Sequence, residues 1–176
     1  LLLVQSKLQL SMGEVSTLTA SFSVIMSVYE NDEAKHFSSA IDSLINQTLI
    51  PSEIVIVVDG PVKSDIENVL QSLSSNSLFT LYRLKKNGGL ANALNIAANL
   101  AKHNILARMD ADDICYPNRF EIQLSLMRNA RLDIVGSQIS EFRVDKDIVV
   151  SERIVPKTHD EIAKFMKWRS PFSHPS

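Results

Sequence analysis

Three carboxylates stand within four residues, at Asp110, Asp112 and Asp113, directly after the strand-like run 105–109. Charges of one sign this close repel one another unless a positive group joins them. Mg²⁺ and Mn²⁺ prefer hard oxygen ligands, and Mg²⁺ is typically held by one or two carboxylates plus substrate phosphates. The trio therefore predicts a divalent-cation site. The alternative is that Asp112 or Asp113 only caps the helix that follows.

Polar residues also follow the other strand-like runs of the chain. These segments are Tyr29-Glu30-Asn31-Asp32, Asp59-Gly60 and Asn87-Gly88-Gly89. In open parallel sheets, ligands bind outside the carboxyl ends of the strands, so these segments and the acidic trio predict one ligand site. Taken singly, each segment is better explained as a turn or a cap than as part of a ligand site. Neither a Gly-x-Gly-x-x-Gly nor a Gly-x-x-x-x-Gly-Lys-Ser/Thr pattern occurs, which argues against a dinucleotide-linked dehydrogenase or a P-loop ATPase.

The elements that must position these residues alternate between two periods. Strand-like runs at 22–29, 54–58, 79–84 and 105–109 alternate with helical patterns at 37–45, 64–73, 90–102 and from Pro117 onward. Four β-then-α units in series predict a parallel sheet with right-handed crossovers and helices on both faces. The predicted fold class is therefore α/β, with an open, mostly parallel, doubly wound sheet.

The pattern changes after residue 136. Residues 139–154 hold two weaker strand-like runs around 145–147, which predicts a hairpin. A capping box at 158–161 predicts a short helix that runs to Trp168. Residues 1–20 are predicted to form a loosely attached N-terminal arm, and residues 21–176 to form the domain.

Composition excludes several classes of protein. A chain of 176 residues suits one domain, and its formal charge of -2 gives no sign of a nucleic-acid partner. The single cysteine, Cys115, cannot form an internal disulfide, which favours a reducing, cytoplasmic compartment. No apolar run approaches the 18 or so residues of a membrane span, and the first residues lack the order of a signal peptide.

Four motifs in fixed order carry a family resemblance: residues 23–30 (SVIMSVYE), 56–60 (IVVDG), 87–95 (NGGLANALN) and 109–113 (MDADD). From about Phe22 to the C-terminus the chain resembles the family 2 glycosyltransferases with the GT-A fold, especially bacterial enzymes of polysaccharide biosynthesis. The resemblance implies an inverting transferase that uses a nucleotide-diphosphate sugar, most often a UDP-sugar, with Mn²⁺ or Mg²⁺. Ser27 and Glu30 depart from the residues that many members carry there.

The resemblance also implies roles for individual residues. Val28, Tyr29 and Glu30 would line the nucleobase pocket, Asp59 would hydrogen-bond the base, and the turn of Asn87 and Gly88 would lie beside the nucleoside.

At the metal end, the resemblance implies that Asp110 faces the ribose and the metal, with Ala111 beside it, while Asp112 is the principal metal ligand. The acceptor would be a glycan or a lipid-linked glycan, which would place the enzyme at the inner face of the plasma membrane by peripheral association.

An inverting transfer needs a carboxylate base opposite the leaving group. The resemblance places that base beyond a segment like 174–176 (HPS), so we expect it beyond Ser176, with the acceptor side of the domain truncated at the C-terminus. Within the chain, Glu141 and Glu152 fit a solvated face, His174 fits a structural role, and Cys115 is expected to be buried or inert.

Two alternatives remain open at this stage. The chain is either a transferase domain or a catalytically incomplete nucleotide-sugar-binding module that lacks the general base. A phosphohydrolase of the haloacid-dehalogenase type is disfavoured, because its Asp-x-Asp follows the first strand whereas this one follows the fourth.

Overall fold

The computed structural model of the protein describes residues 2–5, 21–143 and 148–173. The elements in chain order are β1 (Leu2–Gln5), β2 (Ser23–Val28), α1 (Ala34–Ile45), β3 (Glu53–Val58), α2 (Ser64–Leu73), β4 (Phe79–Arg83), α3 (Leu90–Leu100), β5 (Leu106–Asp110), β6 (Ile114–Cys115), α4 (Arg119–Asn129), β7 (Gln138–Arg143), β8 (Ile148–Arg153) and α5 (His159–Phe165).

The first sheet contains the four predicted β-then-α strands, all parallel, in the order β4-β3-β2-β5. The chain winds outward from β2 to β4 and then returns through α3 to place β5 on the other side of β2. The switch in direction therefore lies between β2 and β5, where the crevice of a doubly wound fold forms.

Both faces of this sheet are covered, which confirms the doubly wound prediction. On one face, alternate residues of β2 and β3 join one core with α1, α2 and α4, whose buried members include Phe37, Ile66 and Phe120. On the other face, Ile25, Val55 and Val57 pack against Ala93 and Ala97 of α3. Because small alanines line the contact, α3 approaches the sheet closely.

The second sheet is mixed and has the order β6-β1-β7-β8. Its antiparallel pair β7 and β8 confirms the predicted strand pair, whereas the hairpin turn predicted at 145–147 lies outside the described residues. The sequence pattern gave the N-terminal arm no strand, yet Leu2–Gln5 pairs with both β6 and β7. Residues 6–20 of that arm lie outside the described part.

The predicted helix boundaries shift by a few residues. The fourth helix begins at Arg119 rather than at Pro117, because the Arg119 N–H bonds the Tyr116 carbonyl at 3.0 Å and closes a turn first. The capping box of α5 is confirmed, with Thr158 and Glu161 bonding reciprocally. The helix ends at Phe165, before the predicted Trp168.

Candidate functional site

A cavity of about 360 Å³ opens at the carboxyl ends of β2, β3 and β5. It lies at the switch point between β2 and β5, the position expected for a ligand of this fold. Its lining residues are Ser27, Tyr29, Asp32, Asp59, Asn87, Gly89, Leu90, Asp110, Ala111 and Asp112.

Asp59 anchors the glycine turn that forms one wall of the cavity. Its buried carboxylate accepts hydrogen bonds from the backbone N–H groups of Gly88 at 2.6 Å and Gly89 at 2.9 Å. The next residue is Gly60, with φ +91, where a Cβ would lie 2.7 Å from the Asn87 nitrogen. Only glycine permits this approach, so the end of β3 and the turn form one rigid unit.

The predicted base-binding role of Asp59 is compatible with this arrangement, because each carboxylate oxygen has capacity for a second hydrogen bond. The role itself stays a prediction.

Asp32 enters the cavity through a tight turn at the end of β2. The Tyr29 N–H donates to Asp32 Oδ2 at 2.9 Å, and the Asp32 N–H donates to the Tyr29 carbonyl at 3.2 Å. Burial raises the pKa of Asp32 to about 6, against the lowering effect of the Tyr29 hydrogen bond, and the charges of Asp112 and Asp110 add to the rise.

Asp32 stands at a predicted strand end but was not among the predicted site residues. An aspartate three residues beyond Tyr29 is the spacing that lets its side chain close a turn on the backbone, and this was the available signal.

The acidic trio divides between the cavity and the interior. Asp110 and Asp112 line the cavity, whereas Asp113 is buried and its N–H bonds the Asp110 carbonyl at 3.4 Å. The Arg108 guanidinium donates to Asp110 Oδ1 through Nε at 3.2 Å and Nη2 at 3.0 Å. This contact fixes the rotation of the Asp110 carboxylate and offsets part of the local negative charge.

The donor set suits a cation that a ligand helps to hold. Among the described residues, no group of three or more His, Cys, Asp or Glu side chains is arranged to hold a metal ion. Asp110 and Asp112 instead offer two carboxylates on one side of an open cavity, which matches Mg²⁺ or Mn²⁺ sites completed by substrate phosphate oxygens.

Most predicted site residues meet in this cavity, but three do not line it. Val28 is fully buried in the core that α1 and α2 cover, and Glu30 is exposed to solvent outside the cavity. Gly88 donates its N–H to Asp59 but does not line the cavity. The structure adds Ser27, Asp32, Gly89 and Leu90, which the predicted set did not include.

Of the other candidates, Glu141, Glu152 and Cys115 do not line the cavity. Glu141 accepts from Ser151 Oγ at 2.5 Å and Arg153 Nη2 at 2.8 Å, and these contacts lower the pKa of its carboxyl group. Glu152 lies on the exposed strand β8, and Cys115 is buried as predicted. His174 lies outside the described residues.

Three proteins of similar sequence are all named as glycosyltransferases. A 38% identical "uncharacterized glycosyltransferase" of Haemophilus influenzae covers 87% of this chain and 58% of its own length. The amylovoran biosynthesis glycosyltransferase AmsE of Erwinia amylovora is 36% identical, over 87% of this chain and 57% of its own. The Escherichia coli UDP-Gal:alpha-D-GlcNAc-diphosphoundecaprenol beta-1,3-galactosyltransferase is 37% identical, over 90% and 58% respectively.

Solved structures share the fold. S. aureus TarS superposes with a TM-score of 0.55 at 20% identity, over 63% of this chain and 20% of TarS. Its fragment 1-349, crystallised with UDP-GlcNAc, gives the same score at 21% identity, over 63% of this chain and 32% of the fragment. The mostly parallel sheet with covering helices is thus the predicted α/β fold class.

The chain spans 57–58% of the length of the three relatives named above. Among the described residues, no helix is both long and apolar enough to cross a membrane. The family profile described as "Glycosyl transferase family 2" matches residues 23–175, which is most of the chain. With the cavity at the expected switch point and relatives above 30% identity, the chain belongs to glycosyl transferase family 2.

Proposed function

We propose that this chain binds a UDP-sugar with Mn²⁺ or Mg²⁺ and transfers the sugar, with inversion, to a glycan or lipid-linked glycan acceptor of a bacterial surface polysaccharide. One observation carries the proposal. A single cavity at the switch point holds a glycine turn anchored by Asp59 at one end and the carboxylates of Asp110 and Asp112 at the other. A nucleoside diphosphate has two parts that fit these two ends. Its uncharged base suits the turn, and its anionic diphosphate suits the carboxylates when a divalent cation joins the two.

Relatives support the choice of UDP and of the acceptor class. The E. coli relative is named for UDP-Gal and a diphosphoundecaprenol-linked acceptor, and the E. amylovora relative for amylovoran biosynthesis. TarS fragment 1-349 has been crystallised with UDP and with UDP-GlcNAc. A lipid-linked acceptor places the reaction at the inner face of the plasma membrane, which is part of this proposal.

The chemistry assigned to the metal end follows from charge. As the bond between the sugar and the diphosphate breaks, negative charge concentrates on the diphosphate leaving group, and a bound divalent ion would stabilise that charge where it develops. Asp112 and Asp110 would hold the ion, while Arg108 keeps Asp110 in one orientation. Ala111, between the two carboxylates in sequence, lines the cavity and is buried in the core.

Calorimetric titration of UDP in the presence of Mn²⁺ tests the donor half of the proposal. We expect binding by the wild type and a loss of at least about 100-fold for Asp112→Asn, because the amide keeps the size but not the charge of the ligand group. Asp42→Asn is the matched control, since Asp42 is an exposed aspartate of α1 outside the cavity. No binding by the wild type, or equal binding by Asp112→Asn, would refute the proposal.

Turnover separates the transferase from the alternative, a nucleotide-sugar-binding module without a general base. Release of UDP from UDP-sugars, with and without glycan acceptors, is measured on the same chain. Acceptor-dependent UDP release that Asp112→Asn abolishes supports the transferase. Tight Mn²⁺-dependent binding with no release across the acceptor panel would instead favour the module.

A further inference from the structure

Arg119, the first residue of α4, is a buried cation behind the acidic loop 110–113. Only 1% of this residue is accessible to solvent. Its Nη2 donates to the Arg108 carbonyl at 2.9 Å, and its Nη1 contacts Cys115 Sγ at 3.1 Å and Met109 Sδ at 3.5 Å. The guanidinium therefore contacts the chain on both sides of the loop, in β5 before it and in β6 after it.

These contacts join the two sheets of the molecule. Arg108 belongs to β5 of the first sheet, and Cys115 belongs to β6 of the second. The acidic loop is the covalent connection between those strands, so the distance between them sets its shape. Arg119 closes the same gap noncovalently, through one rigid planar group.

The orientation of the guanidinium is itself fixed. Arg119 Nε donates to Gln123 Oε1 at 3.2 Å, and Gln123 Nε2 donates to Ser137 Oγ at 2.5 Å, just before β7. The Phe120 ring lies 5.2 Å from the guanidinium carbon. Burying a cation against weak sulfur acceptors is an expensive way to gain stability alone, since apolar side chains would fill the same space at lower cost.

We propose that Arg119 is a positioning residue for the metal- and diphosphate-binding end of the cavity. It acts through the backbone on either side of the loop to set the directions of Asp110 and Asp112, and it does not touch the donor. This inference rests on the proposed function. Arg119 has no part in the base-binding end, because Asp59 directly follows β3 and the Asn87 turn lies in the segment after β4.

That separation gives a test that general destabilisation does not mimic. The binding of UDP with Mn²⁺ and the binding of uridine without metal are measured by calorimetry for wild type, Arg119→Met and Arg119→Lys, below each variant's unfolding transition. For Arg119→Met we expect the UDP·Mn²⁺ complex to weaken by about 10-fold or more, as for other supports of metal ligands, while uridine affinity stays within about twofold. Arg119→Lys should fall between, because it keeps the charge but loses the two-sided grip.

Arg83→Met is the matched control. Arg83 also makes a two-point contact, to Glu67 at 2.8 Å through each nitrogen, but on β4 at the far edge of the first sheet. We expect it to leave both ligands unchanged. Equal weakening of UDP·Mn²⁺ and uridine by Arg119→Met, or no weakening of either, would overturn the positioning role.

Two further readouts keep the inference testable if Arg119→Met fails to fold. Gln123→Leu removes the support of Nε and should weaken UDP·Mn²⁺ selectively, to a smaller extent. The electron paramagnetic resonance spectrum of Mn²⁺ bound with UDP should broaden in Arg119→Lys if the ligand geometry loosens, and an unchanged spectrum with unchanged affinity would contradict the inference. A wild type that binds no UDP would refute the proposed function instead.

Discussion

The two ends of the first sheet treat carboxylates in opposite ways. At the amino end, Glu53 is buried and accepts from Ser23 Oγ, Thr80 Oγ1, the Lys102 N–H and Lys102 Nζ at 2.9–3.2 Å. At the carboxyl end, Asp32, Asp110 and Asp112 share one open cavity, and Arg108 is bonded to Asp110.

The pKa values record this difference. Burial alone would raise the pKa of Glu53, but the hydrogen bonds from Lys102, Ser23 and Thr80 hold it below its ordinary value. Burial raises the pKa of Asp32 to about 6, with the charges of Asp112 and Asp110 acting in the same direction. The amino end is therefore built to stabilise a charge, and the carboxyl end retains negative charge that a bound cation would relieve.

Among these carboxylates, Glu53 should show the largest effect on stability when it is replaced, with no effect on the cavity. We expect Glu53→Gln to lower the free energy of unfolding by about 3 kcal/mol, because four donors lose a charged acceptor in a buried site. Urea denaturation measures the loss, and calorimetry with UDP and Mn²⁺ should show unchanged affinity. A change of affinity in a folded Glu53→Gln protein would break the comparison between the two ends.

The pH dependence of that contribution follows from its sign. Because the pKa of Glu53 is lower in the folded chain than its ordinary 4.5, its contribution is fully present above pH 4.5 and disappears as the pH falls through the folded value. The stability difference between wild type and Glu53→Gln should therefore shrink below about pH 4.

Asp59→Asn should have the next largest effect, and it should act on both properties. An amide offers one acceptor oxygen, so either the Gly88 or the Gly89 N–H loses its bond to residue 59, and of the two only the Gly89 N–H has another acceptor, Asn87 Oδ1 at 3.1 Å. We expect a loss of about 1–2 kcal/mol in stability and clearly weaker uridine binding, since the turn no longer holds its shape. Asp42→Asn again serves as the control, and wild-type values for Asp59→Asn in both assays would contradict this account of the turn.

Replacing Asp32 should stabilise the chain. A raised pKa means that the folded protein prefers the protonated form, so stability is full below the unfolded value of 3.8 and declines as the pH rises through about 6. Asp32→Asn keeps the acceptor for the Tyr29 N–H without the charge. After allowance for partial exposure, we expect a gain of about 1 kcal/mol at neutral pH and none near pH 3.

Thermal unfolding at a series of pH values checks this prediction, with Asp42→Asn as the matched exposed aspartate. A gain of about 1 kcal/mol corresponds to roughly 2–4 °C for a chain of this size. Saturating UDP with Mn²⁺ should shrink the difference, because a bound cation favours the charged form of Asp32. Lower stability of Asp32→Asn at neutral pH would show that the folded chain does not disfavour the charged form of Asp32.

The first sheet and most of the cavity could be predicted from the sequence, because the patterns that indicate them lie within short segments of the chain. The run 54–58 is apolar throughout, as a strand buried on both faces requires, and each strand end carries its own polar residues. In the second sheet, the pair β7 and β8 was predicted, but β1 and β6 were not, because β6 has two residues and its partner Leu2–Gln5 lies more than 100 residues away in sequence. Arg119 escaped because arginine at the start of a helix is usually exposed, and only tertiary packing buries it.

Replacing Trp168 should have the smallest effect on stability and on UDP affinity, because this residue belongs to neither end of the first sheet. It follows α5, and 88% of its surface is exposed, so its removal takes little apolar area out of the packed interior. We expect Trp168→Ala to change the free energy of unfolding by less than about 0.5 kcal/mol and to leave UDP affinity unchanged. Phe120→Ala, at 1% exposure in the core beneath α4, should cost about 3–5 kcal/mol in the same urea titration. A loss of more than about 1 kcal/mol in the free energy of unfolding for Trp168→Ala would mean that the indole ring is buried in solution. The surface around α5 would then be packed, as the amino end of the first sheet is.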